Sequence, residues 1–183
     1  MRMSTVLLCL AMAAPGAVLA QRVALDTTMG TIVIELAPQA APRTVANFIE
    51  YVKSGHYNNT IFHRVMGTFM IQGGGYTADL TEKPTRAPIP LESQSGLKND
   101  RGAVSMARRS DPNSATSQFF INVVDNPRLD YPNPDGHGYA VFGKVVEGMD
   151  VVDKIRAVPT GPSGSHQSVP TTPVVIKSAK IIK

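Results

Sequence analysis

The sequence is poor in groups that break bonds. Cysteine occurs once in 183 residues, at Cys9. Histidine occurs four times, at His56, His63, His137 and His166, with neither an HExxH pattern nor the Cys/His spacing of a zinc site. A metal centre is therefore not expected. No Gly-x-Ser-x-Gly elbow marks a nucleophile. Gly73-Gly74-Gly75 lacks the Gly-Lys-Ser/Thr of a phosphate loop and reads as a turn or bulge at a packed strand end. Asp125, Asp130 and Asp135 lie in Pro- and Asn-rich sequence, where acids usually serve turns. Charge of one sign is scarce as well. The formal net charge is +4, and only Arg108 and Arg109 adjoin along the sequence, so the basic residues read as a solvated face rather than a nucleic-acid footprint.

The lone cysteine sits in a leading segment that stands apart. A short positive start, Met1-Arg2-Met3, precedes an uninterrupted apolar stretch from Val6 to Ala14, then Pro15-Gly16 and Val18-Leu19-Ala20. This is the pattern of a secretory signal peptide, residues 1–20, cut after Ala20. The stretch is too short to span a bilayer, which takes about 20 apolar residues. The expected mature domain, 21–183, holds no cysteine, so its stability must come from its core rather than from disulfides. Composition agrees with one well-cored domain: 43% of the residues are hydrophobic and 17% charged.

Within that domain, Arg22 to Leu36 alternates apolar and polar residues about Thr27-Thr28-Met29-Gly30, predicting a hairpin. Pro42 opens a helix to about residue 54, with Val45, Phe48, Ile49 and Val52 on one face and Gly55 as its stop. Short apolar runs then recur between Gly, Pro, Asn and Asp clusters: Ile61-Phe62, Phe69-Met70-Ile71, Gly102 to Met106, Phe119 to Val124 and Tyr139 to Val146. This spacing predicts an antiparallel barrel or sandwich. A second helix is expected over Glu147 to Arg156, a turn-rich connection over Pro159 to Pro173, and a last strand over Val174 to Ile182.

Two runs carry the chemistry: Phe62-His63-Arg64-Val65-Met66-Gly67-Thr68-Phe69-Met70-Ile71-Gln72-Gly73-Gly74 and Ser117-Gln118-Phe119-Phe120-Ile121-Asn122. Taken alone, Arg64 is an arginine whose stem packs while its head pairs with an acid, and Phe69, Met70 and Phe120 are core. Gln72 and Gln118 lie in strand-like apolar contexts, where buried amides need partners. Taken together they offer a cation, amide donors and an apolar pocket, the equipment for rotating a bond without breaking one.

These motifs, with Met106-Ala107-Arg108 and Tyr139-Ala140-Val141-Phe142-Gly143-Lys144-Val145 in the same order, resemble the cyclophilin family of peptidyl-prolyl cis-trans isomerases, especially its bacterial periplasmic branch. The resemblance implies a mainly β fold, an eight-stranded antiparallel closed β-barrel capped by two α-helices. It implies that Arg64, Phe69 and Gln72 are catalytic, and that Met70, Ala107, Arg108, Gln118, Phe120, Leu129 and Tyr139 bind substrate. No cofactor or metal is implied. The implied partners are Xaa-Pro-containing unfolded or partly folded client proteins, met by an exported monomer in a bacterial periplasm, with no nucleic acid and no stable membrane insertion after signal cleavage. A module that binds proline segments as a chaperone or scaffold, with incidental catalysis, is the alternative.

Three departures from the family pattern stand out. Gly67-Thr68 stands where a Pro-Gly turn is usual, Arg128 where relatives carry Trp or another aromatic, and Arg108 where Asn is common. Arg108, Arg109 and Arg128 are expected to form a basic rim beside the groove.

Overall fold

The structure, a computed structural model, describes residues 21–182, so the expected signal segment lies outside the described residues. Strands β1 (Arg22–Thr27) and β2 (Gly30–Leu36) form the opening hairpin, paired from Arg22 opposite Glu35 to Thr27 opposite Gly30. Thr27 closes the turn, its hydroxyl donating to the Gly30 carbonyl at 2.6 Å and accepting from the Met29 amide at 3.0 Å.

Helix α1 (Pro42–Lys53) follows, and the apolar face predicted for it is buried. Phe48 is its anchor, with ring centroids 5.1 Å from Tyr57, 5.6 Å from Phe119 and 5.0 Å from Phe142. The residue before the helix, Ala41, has no side chain to cap it. Glu92 supplies the cap from 48 residues away: its carboxylate accepts from the Arg43 amide at 3.1 Å, the Thr44 amide at 2.8 Å and the Thr44 hydroxyl at 2.7 Å. Those donors are among the four that a helix start leaves unpaired, and the negative charge also suits the positive end of the helix dipole.

The remaining strands are β3 (Thr60–Ile61), β4 (Arg64–Met66), β5 (Met70–Gly73), β6 (Ala103–Met106), β7 (Phe119–Asn122), β8 (Val141–Glu147), β9 (Thr160–Ser163), β10 (His166–Pro170) and β11 (Val175–Ile182), with α2 (Met149–Arg156) between β8 and β9. Nine strands form one antiparallel sheet in the order β3, β11, β1, β2, β8, β6, β7, β5, β4. Its two outermost members, β3 and β4, are successive pieces of one run interrupted at Phe62-His63. Counting that run once, the curled sheet is the expected ring of eight, its ends joined by the chain itself.

The core fills the space enclosed by the sheet and helices. Val23, Leu25, Ile32, Ile34, Phe62, Ile71, Val104, Phe119, Ile121 and Phe142 are fully inaccessible to solvent, at about 1.5–3 kcal/mol of burial each. Helix α2 adds Val151, Val152 and Ile155. It starts at Met149 rather than Glu147 because Gly148 takes a left-handed φ of +84° with its Cα pressed against the Thr31 carbonyl, where no side chain fits.

One expectation is corrected. Residues 159–173 are more than a turn-rich connection, because β9 and β10 pair there as a separate hairpin, with Val169 opposite Gly161. Gly, Pro and Ser dilute its apolar alternation, which hides the strands from periodicity. Replacing the remote cap, Glu92→Ala, is expected to lower stability by about 1–2 kcal/mol, read as an earlier midpoint in urea unfolding with an unchanged slope.

Candidate active site

Side chains alternate between the two faces of a strand, so pairing register decides which residues share a surface. Arg64 is opposite Gln72, Gln72 is opposite Phe120, and Phe120 is opposite Ser105. These four form one row across β4, β5, β7 and β6 on the outside of the sheet. The neighbouring row, Val65, Ile71, Ile121 and Val104, points into the core. Two residues along, Met66 is opposite Met70 and Met70 is opposite Asn122. Hence a cation, an amide and a phenyl ring stand side by side on the convex face with two methionines next to them.

Loops complete the surface. Met70, Phe120 and Leu129 form a small apolar cluster separate from the main core, with Met66, Phe69, Ala107 and Tyr139 packed against it. Leu129 arrives on a 3-10 turn, Pro127–Leu129. The result is a cavity of about 180 Å³ lined by Arg64, Phe69, Met70, Gln72, Ala107, Arg108, Phe120, Leu129 and Tyr139. Nine of the ten residues implied by the family resemblance thus meet in one place. The tenth, Gln118, lines an adjoining groove of about 450 Å³ that shares Gln72, Ala107 and Arg108 with the cavity.

A relay of polar contacts crosses the boundary between the two. Arg64 Nη1 donates to Gln72 Oε1 at 3.3 Å, and Gln72 Nε2 donates to Gln118 Oε1 at 2.9 Å. The other terminal nitrogen, Arg64 Nη2, lies 3.3 Å from Met66 Sδ, a weak acceptor. Among the described residues no carboxylate lies within salt-bridge range of Arg64. Its guanidinium is oriented by an amide and left free to donate to something else.

Arg108 has a different situation from the one expected of a basic rim. Its side chain is only 2% exposed and meets both carboxylate oxygens of Asp135, at 2.7 and 2.8 Å. It also donates to the Gly138 and Arg109 carbonyls, both at 3.0 Å. Its guanidinium carbon sits 4.5 Å above the Tyr139 ring, which stands edge-on to Phe120 at 5.7 Å. The hydrogen bond from Arg108 holds the Asp135 carboxyl below the usual range. With its charge neutralised, Arg108 braces one wall of the cavity, and Arg109 and Arg128 alone remain as exposed cations of the supposed rim. The sequence reads Asp135 as a turn acid, and nothing local marks it as the partner of an arginine 27 residues away.

The loop presenting Phe69 accounts for one departure from the family pattern. A Cβ on Gly67 would stand 2.7 Å from the Arg156 carbonyl at the end of α2, too close for any side chain. Arg156 Nη1 in turn donates to the Gly67 carbonyl at 3.3 Å. The helix end takes the place of a stiff turn.

His63, next to Arg64, is 4% exposed and packs on Tyr76, ring centroids 4.6 Å apart, with His166 at 6.0 Å. Burial, then the charges of His166 and Arg64, lower its pKa to about 4. Its Nδ1 is buried with no hydrogen-bond partner among the described residues.

Comparison with known proteins places this geometry. The profile described as "Cyclophilin type peptidyl-prolyl cis-trans isomerase/CLD" matches residues 22–181. The peptidyl-prolyl cis-trans isomerase cyp18 of Streptomyces antibioticus is 59% identical over 162 residues, covering 87% of this chain and 98% of its own. The peptidyl-prolyl cis-trans isomerase B of Escherichia coli is 53% identical over 161 residues, covering 87% and 98%. Among solved structures, a cyclophilin type peptidyl-prolyl cis-trans isomerase of Cryptosporidium parvum, crystallised in the presence of the dipeptide Ala-Pro, superposes with a TM-score of 0.73 at 30% identity, covering 89% of this chain and 99% of that one.

A buried neutral histidine makes stability depend on pH. In the unfolded chain His63 protonates near 6.5, whereas in the fold it does so only near 4. Stability from this group is therefore complete above 6.5 and is lost as pH falls toward 4, up to about 3 kcal/mol in all. Denaturation midpoints measured between pH 7 and 5 should fall more steeply for the natural protein than for His63→Gln.

Similarity across the whole described domain joins the geometry of the convex face in one conclusion: the chain belongs to the cyclophilin-type peptidyl-prolyl cis-trans isomerases, enzymes that rotate Xaa-Pro peptide bonds.

Proposed function

We propose that the chain acts on Xaa-Pro segments of unfolded or partly folded exported proteins, with Arg64 as the catalytic cation and the 180 Å³ cavity as the seat of the proline ring. The observation that carries this reading is a half-buried guanidinium with no carboxylate partner among the described residues, held by Gln72 beside a pocket of Phe69, Met70, Phe120 and Leu129.

Resonance sets the barrier to peptide rotation at about 18–20 kcal/mol, so an Xaa-Pro bond isomerises unaided in roughly tens to hundreds of seconds. Halfway through rotation the conjugation is lost and the proline nitrogen becomes pyramidal and basic. A guanidinium that donates to this nitrogen, or to the neighbouring carbonyl, binds the twisted state better than either planar one, which is the condition for catalysis. Relief of about 6 kcal/mol brings the step to roughly milliseconds.

The pocket supplies the fixed end of the rotation. Three ring methylenes at about 0.8 kcal/mol each hold the proline with roughly 2 kcal/mol. Gln72, Gln118 and the backbone of Ala107 and Arg108 then line the path of the preceding residues, along the 450 Å³ groove. One side of the bond is anchored by burial while the other turns against polar contacts. Arginine suits the task because its planar fork reaches two acceptors, a geometry lysine lacks.

The carbon-nitrogen rotation of an Ala-Pro peptide, followed by NMR exchange or a coupled protease assay, tests the assignment. Arg64→Ala is expected to lower kcat/KM by about 100-fold or more, as for loss of a single transition-state donor, with Arg64→Lys recovering little. Activity untouched by Arg64→Ala would remove the mechanism.

Export rests on the positive, apolar and small-residue pattern of residues 1–20. Expressed in a bacterium with a periplasm, the full chain should be recovered from the periplasmic fraction with Gln21 as its first residue by terminal sequencing; recovery of an uncut chain from the cytoplasm would sink the export reading.

A further inference from the structure

Behind the proline pocket lies a buried polar network that none of the residues assigned above belongs to. It begins at Ser105, whose hydroxyl donates to Asn99 Oδ1 at 2.7 Å. Asn122 Nδ2 donates to the same oxygen at 3.3 Å and to the Ala103 carbonyl at 3.2 Å. Asn99 gives its backbone and side-chain amides to Asp130 Oδ1, at 2.8 and 3.0 Å. Ser105, Asn99 and Asn122 are 0–1% exposed, so these bonds are shielded from water.

Asn126, 9% exposed, is where this network meets the pocket. Its side-chain amide donates to Asn122 Oδ1 at 2.7 Å and to the Phe69 carbonyl at 2.9 Å. Its backbone carbonyl accepts the Leu129 amide at 2.9 Å, and its own amide donates to the Asn99 carbonyl at 2.9 Å. Leu129 in turn accepts the Tyr139 amide at 2.9 Å. Of the cavity's walls, Phe69 and Leu129 are thus tied directly to Asn126, and Tyr139 to Leu129. The helix end steadies the loop at Gly67, and at Phe69 itself the Asn126 amide makes the shorter of the two bonds to the carbonyl, the Val123 amide donating to it at 3.2 Å.

We propose that Asn126 is a positioning residue of the isomerase: it sets the distance between Phe69 and Leu129, and so the ring size that the pocket accepts. The inference rests on the assignment of this cavity to the proline ring. Removing the amide leaves the Phe69 carbonyl with the longer bond from the Val123 amide, at 3.2 Å, and takes the donor from Asn122 Oδ1, so the Phe69 side of the pocket is held more loosely while Arg64, Gln72 and Phe120 stay on their strands. Loss of fit should then appear mainly in KM and in selectivity, because the cation that acts on the twisted bond is untouched.

The test compares Ala-Pro with the Ala-pipecolyl peptide, whose six-membered ring is one methylene larger. A fitted pocket separates substrates differing by one methylene by about tenfold or more in kcat/KM. With Asn126→Ala the preference for proline should fall below about threefold, with KM for Ala-Pro raised more than kcat is lowered. Arg64→Lys, by contrast, should slow both peptides alike and leave their ratio near that of the natural protein. A general loosening of the fold would lower the active fraction and cut both rates equally, so an unchanged ratio in a folded Asn126→Ala overturns the proposal. If that variant does not fold, Asn126→Ser, which retains a hydroxyl too short to reach Phe69, carries the same expectation; failure of both to fold makes Asn126 a structural residue and also overturns it. Equal turnover of the two rings by the natural protein would instead remove the pocket assignment, and this inference with it.

Discussion

Everything at the convex face depends on the pairing register of four strands. Because neighbouring side chains point to opposite faces, the register that sends Val65, Ile71, Ile121 and Val104 inward also sends Arg64, Gln72, Phe120 and Ser105 outward. A slip of one residue in β4 would bury a guanidinium among phenylalanines and expose a valine. The main core is therefore what enforces the order of the outer row. Burial of the inner row and assembly of the site are two results of one choice.

Charge is distributed with a similar economy. Arg22 pairs with Glu35, Arg101 and Arg156 share Asp153, and Arg108 is enclosed by Asp135. Among the described residues Arg64 has as polar partners a glutamine and a methionine sulfur. A carboxylate beside it would occupy the donors and cancel its field, whereas the amide of Gln72 orients it without neutralising it. The same amide hands its own donor to Gln118, linking the 180 Å³ cavity to the adjoining groove.

Much of this was legible in the sequence, for stated reasons. Hairpin β1–β2 and helix α1 carry strong period-two and period-3.6 patterns with turn and stop residues at their ends, and their limits fall within a residue or two of those expected. The site residues lie in compact motifs, so their grouping could be anticipated even though their spatial contact could not. What escaped were pairings between distant, individually ordinary residues. Glu92 caps a helix from a loop, Asp135 claims Arg108, and Asn126 reaches back to Phe69 across 57 residues. No periodicity marks such partners, since each is set by how loops fold back onto the sheet. Hairpin β9–β10 escaped for another reason, its strands being held by backbone pairing with few apolar side chains to announce them.

The close approach of Gly67 to the Arg156 carbonyl bears on how this chain can change over time. A proline or any larger residue at 67, as the common family turn would require, is accessible only after the end of α2 has withdrawn, and α2 is anchored by Val152 and Ile155 in the core. The two segments, 89 residues apart, are thus bound to alter together or not at all. A side chain at 67 is barred here by geometry: the loop that presents Phe69 leans on the end of a helix 89 residues away rather than on the stiffness of its own turn.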